Sequence, residues 1–180
     1  MEVINLKKSN ISEKDKCFII GEAGINHDGS LKKAFELVDV AVEAKVDAVK
    51  FQMFNTEKYI SDDSFYASYM KKGLISKREK IDEFFKRLEV KQWEMVEIKK
   101  YCKKKNIFFI STPYESESAK FLDKIDTKIF KIASADISDF FLNNVVSKFK
   151  KPTIISTGTS NNYEISRILK VYKNNMSNIA

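Results

Sequence analysis

The sequence predicts an α/β fold in which βα units build a parallel sheet. Three observations carry this. Short runs that are apolar through their bodies recur along the chain. Stretches with apolar residues at helical spacing separate them, which is the pattern of parallel strands covered by helices. Each run also ends in polar or charged residues, where a parallel sheet builds its active site.

Taken in order, the first strand spans Cys17 to Glu22, and Gly24-Ile25-Asn26-His27-Asp28-Gly29 forms the loop after it. Ser30 is an ordinary N-cap for a helix with Leu31, Ala34, Phe35, Val38, Ala41 and Val42 on one face. The second strand is Ala48 to Phe54. The interval Asn55 to Val90 breaks the rhythm, because βα connections usually take about 2 to 6 residues. It holds Ser61-Asp62-Asp63-Ser64, the aromatics Phe65, Tyr66 and Tyr69, and a helix near Glu79 to Leu88. Such an insertion is either a substrate loop or a peripheral excursion.

A helix from about Lys91, with Met95, Ile98, Tyr101 and Cys102 inward, leads to a third strand at Asn106 to Ser111. The fourth strand is Lys128 to Ala133, followed by a helix carrying Phe141, Leu142, Val145, Val146 and Phe149. The fifth is Thr153 to Ser156, and a last helix presents Ile165, Ile168, Leu169 and Tyr172. Asn178-Ile179-Ala180 reads as the start of a sixth strand. Five such units fall short of the roughly eight strands that close a barrel.

Composition narrows the class. The chain has 180 residues, 43% of them apolar and 14 of them Phe, which suits one domain with a real core. The net charge of +7 comes from lysines on helix faces, with poor aromatic interleaving and no nucleic-acid motif. A positive field still favours small anions. No apolar run approaches the roughly 20 residues that span a bilayer. Cys17 and Cys102 are too few for a disulfide framework, so a reducing cytoplasm is the expected compartment.

The chemistry-bearing residues gather at strand ends. Glu22 closes the first strand. Lys50 and Gln52 are two apart on the second and so share a face. Lys131 precedes Ser134 and Asp136 on the fourth. A buried lysine costs several kcal/mol unless paired or used. Two lysines beside hydroxyls and an amide can hold a phosphate and a carboxylate at once. The alternative is a pair of structural salt bridges, Lys50 to Glu22 and Lys131 to Asp136. Gly24 and Gly29 mimic a phosphate-binding P-loop, but Ser30 stands where that loop needs lysine. The one histidine, His27, reads as a capping or surface residue, and no metal site is assigned.

At these residues the sequence resembles the sialic acid synthase family, which makes N-acetylneuraminic, legionaminic and pseudaminic acids. Ile20-Gly21-Glu22-Ala23-Gly24-Ile25-Asn26-His27-Asp28-Gly29 is similar to the family's opening E-x-G-x-N-H-x-G pattern. Val49-Lys50-Phe51-Gln52, Ser111-Thr112-Pro113, Phe130-Lys131-Ile132-Ala133-Ser134 and Ser156-Thr157-Gly158 follow in family order. The resemblance implies an incomplete (β/α)8 TIM barrel of about five βα units with a sixth strand begun. It implies condensation of phosphoenolpyruvate with an N-acetylated amino-sugar aldehyde, releasing phosphate. Lys50, Gln52, Thr112, Lys131, Ser134 and Ser156 match positions that hold phosphoenolpyruvate. Glu22 matches an acidic residue near the reacting carbons. Asp136 stands where many members have Glu, close to the aldehyde.

The family's metal, manganese or magnesium, takes two histidines from later strands that this sequence does not contain. The resemblance also implies a homodimer for the full-length enzyme and a C-terminal antifreeze-like domain absent here. Residues 1–180 are therefore expected to be the N-terminal part of the barrel domain, from a truncated product or an incomplete sequence, with little activity alone. Two other readings stay open. One is an inactive remnant that binds a phosphorylated metabolite or a protein. The other is a related aldol-type barrel enzyme using phosphoenolpyruvate.

Overall fold

A computed structural model of the chain describes residues 4–5, 10–11, 16–60, 80–173 and 179–180. The motif Ser61-Asp62-Asp63-Ser64 and the aromatics Phe65, Tyr66 and Tyr69 lie outside them. A small antiparallel pair, β1 (Ile4–Asn5) and β2 (Asn10–Ile11), comes first. The sequence reading did not anticipate it.

The body is a five-stranded parallel sheet of β3 (Ile20–Gly24), β4 (Ala48–Met53), β5 (Phe108–Pro113), β6 (Phe130–Ile132) and β7 (Thr153–Ile155). The strands lie side by side in sequence order, and every pairing is parallel. Ile179 continues the sheet by pairing parallel with Thr153. The Ile155 N–H donates to the Ala180 carbonyl at 2.9 Å, and the Ala180 N–H to the Thr153 carbonyl at 3.1 Å. The expected sixth strand has thus begun, and the sheet is not closed.

Helices α1 (Leu31–Glu43), α4 (Gln92–Lys104), α5 (Ser116–Lys124), α6 (Phe140–Lys148) and α7 (Asn162–Val171) fill the connections. The long connection adds α2 (Thr56–Tyr59) and α3 (Ile81–Leu88). The Ser30 hydroxyl caps α1 by accepting from the Lys33 N–H at 3.3 Å, as its position predicts.

Alternation along the strands divides the core in two. Val49, Phe51 and Met53 of β4, Phe109 of β5, Phe130 and Ile132 of β6 join the helix-facing core with Ala34, Val38, Met95, Ile98, Cys102, Leu122 and Leu142. The other face carries Ile20, Ala48, Ile110, Ile129 and Ile154, packed with Phe18 and Phe108 as a separate cluster. Two residues beyond each member of that second set stand Glu22, Lys50, Thr112, Lys131 and Ser156. Period two puts each on the same face as its apolar neighbour. The inner face is therefore layered, apolar below and polar at the C-terminal edge.

Several details differ from the sequence reading: β5 runs Phe108–Pro113 rather than Asn106 to Ser111, and Val42 is exposed. The first strand starts at Ile20 rather than Cys17, because the Ile19 N–H is taken by the Asp47 carboxylate at 2.7 Å. Phe141 is 70% exposed, and Phe140 packs inward instead. Asp139 caps α6 and sets that phase, accepting from the Leu142 N–H at 2.9 Å. Helix α5 went unread because its stretch, Ser116 to Lys124, alternates polar residues with few apolar ones; Glu115 starts it by accepting from the Ser118 N–H at 2.8 Å.

Candidate functional site

Register sets the site. Glu22 pairs with Lys50 across β3 and β4, Gln52 with Thr112 across β4 and β5, and Lys131 with Ile154 across β6 and β7. A bulge between Glu22 and Gly24 ends the regular pairing of β3. Gly24 follows it at φ +55°, in the left-handed region that favours glycine.

The Lys50 ammonium makes an ion pair with the Glu22 carboxylate. Lys50 is buried while Glu22 is half exposed, so the carboxylate faces the open end of the site. Lys131 takes different partners from those a salt-bridge reading requires. Its ammonium donates to the Ser156 hydroxyl and to the Ile132 carbonyl, each at 2.6 Å. Burial pushes the Lys131 ammonium down to about 8, and the charge of Lys50 pushes the same way. Glu22 and Asp136 oppose that fall. The two lysines are thus close enough to repel each other on one face of the sheet.

Asp136 ends a 3-10 turn over Ser134–Asp136 that follows β6. Burial raises its carboxyl to about 6, helped by the negative charge of Asp139 and opposed by Lys131. Its Oδ2 is buried with no hydrogen-bond partner among the described residues. Ser134 in the same turn is held from two sides. The Thr159 hydroxyl donates to its carbonyl at 2.6 Å, and Gly158 lies against its side chain. The loop after β7 thereby packs on the loop after β6, next to Lys131 and Ser156. Thr112 is buried on the inner face beside Gln52.

His27 stands apart. It caps its loop, its Nδ1 accepting from the Gly29 N–H at 3.1 Å, but it is 1% exposed rather than on the surface. Its ring lies 6.3 Å from that of Phe51, which faces the helices, and burial lowers its pKa. Among the described residues no three His, Cys, Asp or Glu side chains gather as a metal cage. The described residues therefore offer no such cage for a divalent metal. No helix among the described residues is long and apolar enough to cross a membrane.

Two features escaped sequence reasoning. A Cβ placed on Gly24 would stand 3.2 Å from Glu22 Oε1, 3.6 Å from Gln52 Nε2 and 3.9 Å from Asn26 Nδ2. A carboxylate and two carboxamides therefore converge where the backbone has no side chain. Beside them opens a cavity of about 540 Å³, with Asn26 and Gln52 at its lining and aromatic walls from Phe54, Tyr59, Phe85 and Tyr114. The rings meet edge to face, with Tyr59 and Tyr114 at 4.9 Å and Phe54 and Phe85 at 5.7 Å. The density of aromatics just past the second and third strands was the available signal.

The insertion builds this wall. Glu89 accepts from the Thr56 N–H at 2.9 Å and from the Thr56 hydroxyl at 2.8 Å, clasping its two ends together. Arg87 of α3 pairs with Asp28 in the loop after β3, and Lys33 joins at 3.2 Å. These cations, Lys33 most of all, hold the Asp28 carboxyl below its usual range.

The NeuB family model matches residues 37–180. The N,N'-diacetyllegionaminic acid synthase of Campylobacter jejuni is 36% identical over 87% of this chain and 46% of its own length. The Bacillus subtilis spore coat polysaccharide biosynthesis protein SpsE is 34% identical over 97% of this chain and 47% of its own. Among solved structures, the N-acetylneuraminic acid synthetase of Leptospira borgpetersenii, in complex with citrate, superposes with a TM-score of 0.85 at 29% identity. It covers 99% of this chain and 57% of its own. The chain spans about half the length of the curated relatives it matches.

Proposed function

This chain belongs to the NeuB family, and from that premise we propose that its protein condenses phosphoenolpyruvate with the aldehyde of an N-acetylated amino sugar. The product is a nonulosonic acid, and inorganic phosphate is released. One observation carries the reading: two lysines sit on the inner face at the sheet's C-terminal edge, one of them depressed by burial and by the other's charge. Lys50 has the Glu22 carboxylate as partner, but among the described residues Lys131 bonds only neutral oxygens, of Ser156 and Ile132, and its charge is unfavourable until an anion enters. A ligand bearing both a carboxylate and a phosphate satisfies both cations at once.

In this proposal Lys50 and Lys131 hold the two anionic groups, and Gln52, Thr112, Ser134 and Ser156 complete the hydrogen bonds. C3 of phosphoenolpyruvate attacks the aldehyde carbon. The aldehyde oxygen becomes a hydroxyl by taking a proton from Asp136, whose carboxyl is raised to about 6 and so holds a proton more readily than an ordinary aspartate. Water adds to the cationic C2, losing a proton to Glu22, whose carboxylate lies against Lys50 beside the anion site. The C2–O bond to phosphate then breaks with its electron pair on phosphate, and the proton of the new C2 hydroxyl passes to the departing phosphate, leaving a C2 ketone. The lysines stabilise charge that develops in a half-buried site, where such terms are largest.

The test is phosphate release from phosphoenolpyruvate with N-acetylmannosamine or a 2,4-diacetamido sugar, with and without manganese. Residues 1–180 alone are expected to show little turnover, since an open sheet lacks walls to exclude water. A polypeptide extended over the family's remaining length is expected to turn over. Lys131→Met in that longer protein lowers kcat/KM by roughly a hundred- to a thousandfold. Phosphate release that is independent of the sugar overturns the reading, as does full activity in Lys131→Met.

A further inference from the structure

We infer that Asn143 of α6 and Tyr172 at the end of α7 form a buried clamp that positions Asp136 beside Lys131. The inference rests on the proposed function, in which Asp136 is the acid, and adds what holds that acid in place. Three observations carry it.

First, the clamp is a closed polar network inside the core. Asn143 and Tyr172 are both fully buried. The Tyr172 hydroxyl donates to the Asn143 Oδ1 at 3.0 Å. The Asn143 Nδ2 donates to the Asp136 carbonyl at 2.9 Å and to the Asp139 carbonyl at 2.8 Å. Burial pushes the Tyr172 phenol up, so it stays a donor. Both amide hydrogens and the amide oxygen are thus used. A buried network satisfied in this way is rigid.

Second, the bonds end on the two residues that set the acid. The acceptors are the backbones of Asp136 and of Asp139, whose charge acts on the Asp136 carboxyl. One amide therefore fixes the spacing of both carboxyl-bearing residues. Lys131 acts on the same carboxyl from β6. At the other end of the turn the Thr159 hydroxyl holds the Ser134 carbonyl at 2.6 Å.

Third, the turn forms without the amide. The Asp136 carbonyl also accepts from the Asp139 N–H, and the Asp139 carbonyl from the Asn143 N–H, each at 3.0 Å. Neither carbonyl is orphaned if the side chain is lost. Its neighbours Leu142 and Val146 are buried and apolar, and a leucine at 143 would avoid the cost of desolvating an amide. What the amide adds is the placement of the turn.

The test reads Asp136 directly in the full chain. Carboxyl-carbon NMR follows its titration, expected at about 6 in the parent, and urea unfolding by circular dichroism follows stability. Asn143→Leu frees the turn and lets water reach the carboxyl, so the midpoint falls by at least about half a pH unit. Tyr172→Phe removes only the outer bond and moves the midpoint the same way by less. Each single variant is less stable, because it leaves a buried polar atom without its partner. The double variant leaves none and regains stability, while its midpoint stays low. In the polypeptide extended over the family's remaining length, Asn143→Leu lowers kcat by about tenfold. The KM for phosphoenolpyruvate holds, since Lys50 and Lys131 keep their bonds. A parent midpoint retained in Asn143→Leu, or in Tyr172→Phe should the first not fold, overturns the proposal. So does a midpoint that returns together with stability in the double variant, or a rise in that KM with kcat unchanged. A longer parent protein with no turnover counts against the proposed reaction instead, and the midpoints then decide the clamp.

Discussion

Replacing Lys131 with methionine separates what this side chain does for a ligand from what it does to the fold. The fall of its ammonium from the ordinary 10.5 to about 8 converts to roughly 3 kcal/mol at about 1.4 kcal/mol per tenfold in proton affinity. Residual solvent contact trims that to about 2 kcal/mol. The charged lysine thus weakens the ligand-free fold. Methionine removes this cost but also loses the bonds to Ser156 and Ile132, each 2.6 Å, which contribute about 1–3 kcal/mol together. At pH 7 the two effects nearly offset, and K131M is expected to lie within about 1 kcal/mol of the parent.

The pH dependence does not offset. The unfolded chain keeps the lysine proton up to the ordinary value, while the folded chain releases it near 8. Between those limits the unfolded state binds more protons, so the parent gains stability as pH rises. K131M lacks the group and does not follow. Urea unfolding by far-UV circular dichroism, stepped from pH 7 to pH 10, should show the parent gaining about 2 kcal/mol relative to K131M. Groups common to both chains cancel in that difference. A gap that stays constant across the window, or that moves against the parent, would refute the reasoning about burial and Lys50.

Other substitutions probe neighbouring features. Asp139→Asn keeps the α6 cap but removes the charge that raises Asp136, so the Asp136 titration moves down from about 6; carboxyl carbon NMR reads it, and an unmoved midpoint rejects the assigned cause. Gly29→Ala puts a Cβ 2.1 Å from the Arg87 carbonyl oxygen at φ +71°. A loss of more than about 2 kcal/mol is expected in urea unfolding, larger than for Gly24→Ala, and the reverse order would contradict the packing of α3 on the loop. The Cys102 thiol is pushed up to about 12 by burial, while Cys17 is exposed. A chromogenic disulfide reagent should therefore titrate one thiol in the native chain and two in urea, and two fast thiols without urea would show that α4 is loosely packed.

The sheet was legible because its strands are short apolar runs with polar ends, and the inner-face layering of Ile20, Ala48 and Ile129 under Glu22, Lys50 and Lys131 follows from period two. Lys50 and Lys131 could be placed at one edge for the same reason. What sequence could not supply was phase and partner. Phe141 and Phe140 are equivalent by composition, and only the position of the Asp139 cap decides which turns inward. Lys131 reads as a candidate partner for Asp136, yet it bonds Ser156 and the Ile132 carbonyl, which depends on how β6 and β7 align. The aromatic cavity joins residues from α2, α3 and the ends of β4 and β5, so no single stretch of sequence contains it.

The side-by-side order of the strands has a bearing on how the chain is made. Each strand from β4 onward pairs with the one that left the ribosome just before it. A nascent chain can therefore lay down its sheet by accretion, every new βα unit docking on an edge already in place, without waiting for later sequence. The step from β4 to β5 is the exception, for its partners lie more than twice as far apart along the chain as those of β3 and β4. Loop closure there carries the extra entropy. The bonds from Thr56 to Glu89 shorten that search by tying off the insertion before Phe108 arrives. Translation is thus best slowed once Glu89 has emerged and before Phe108 follows, so that the clasp can form while β3 and β4 wait as a lone pair with an open edge.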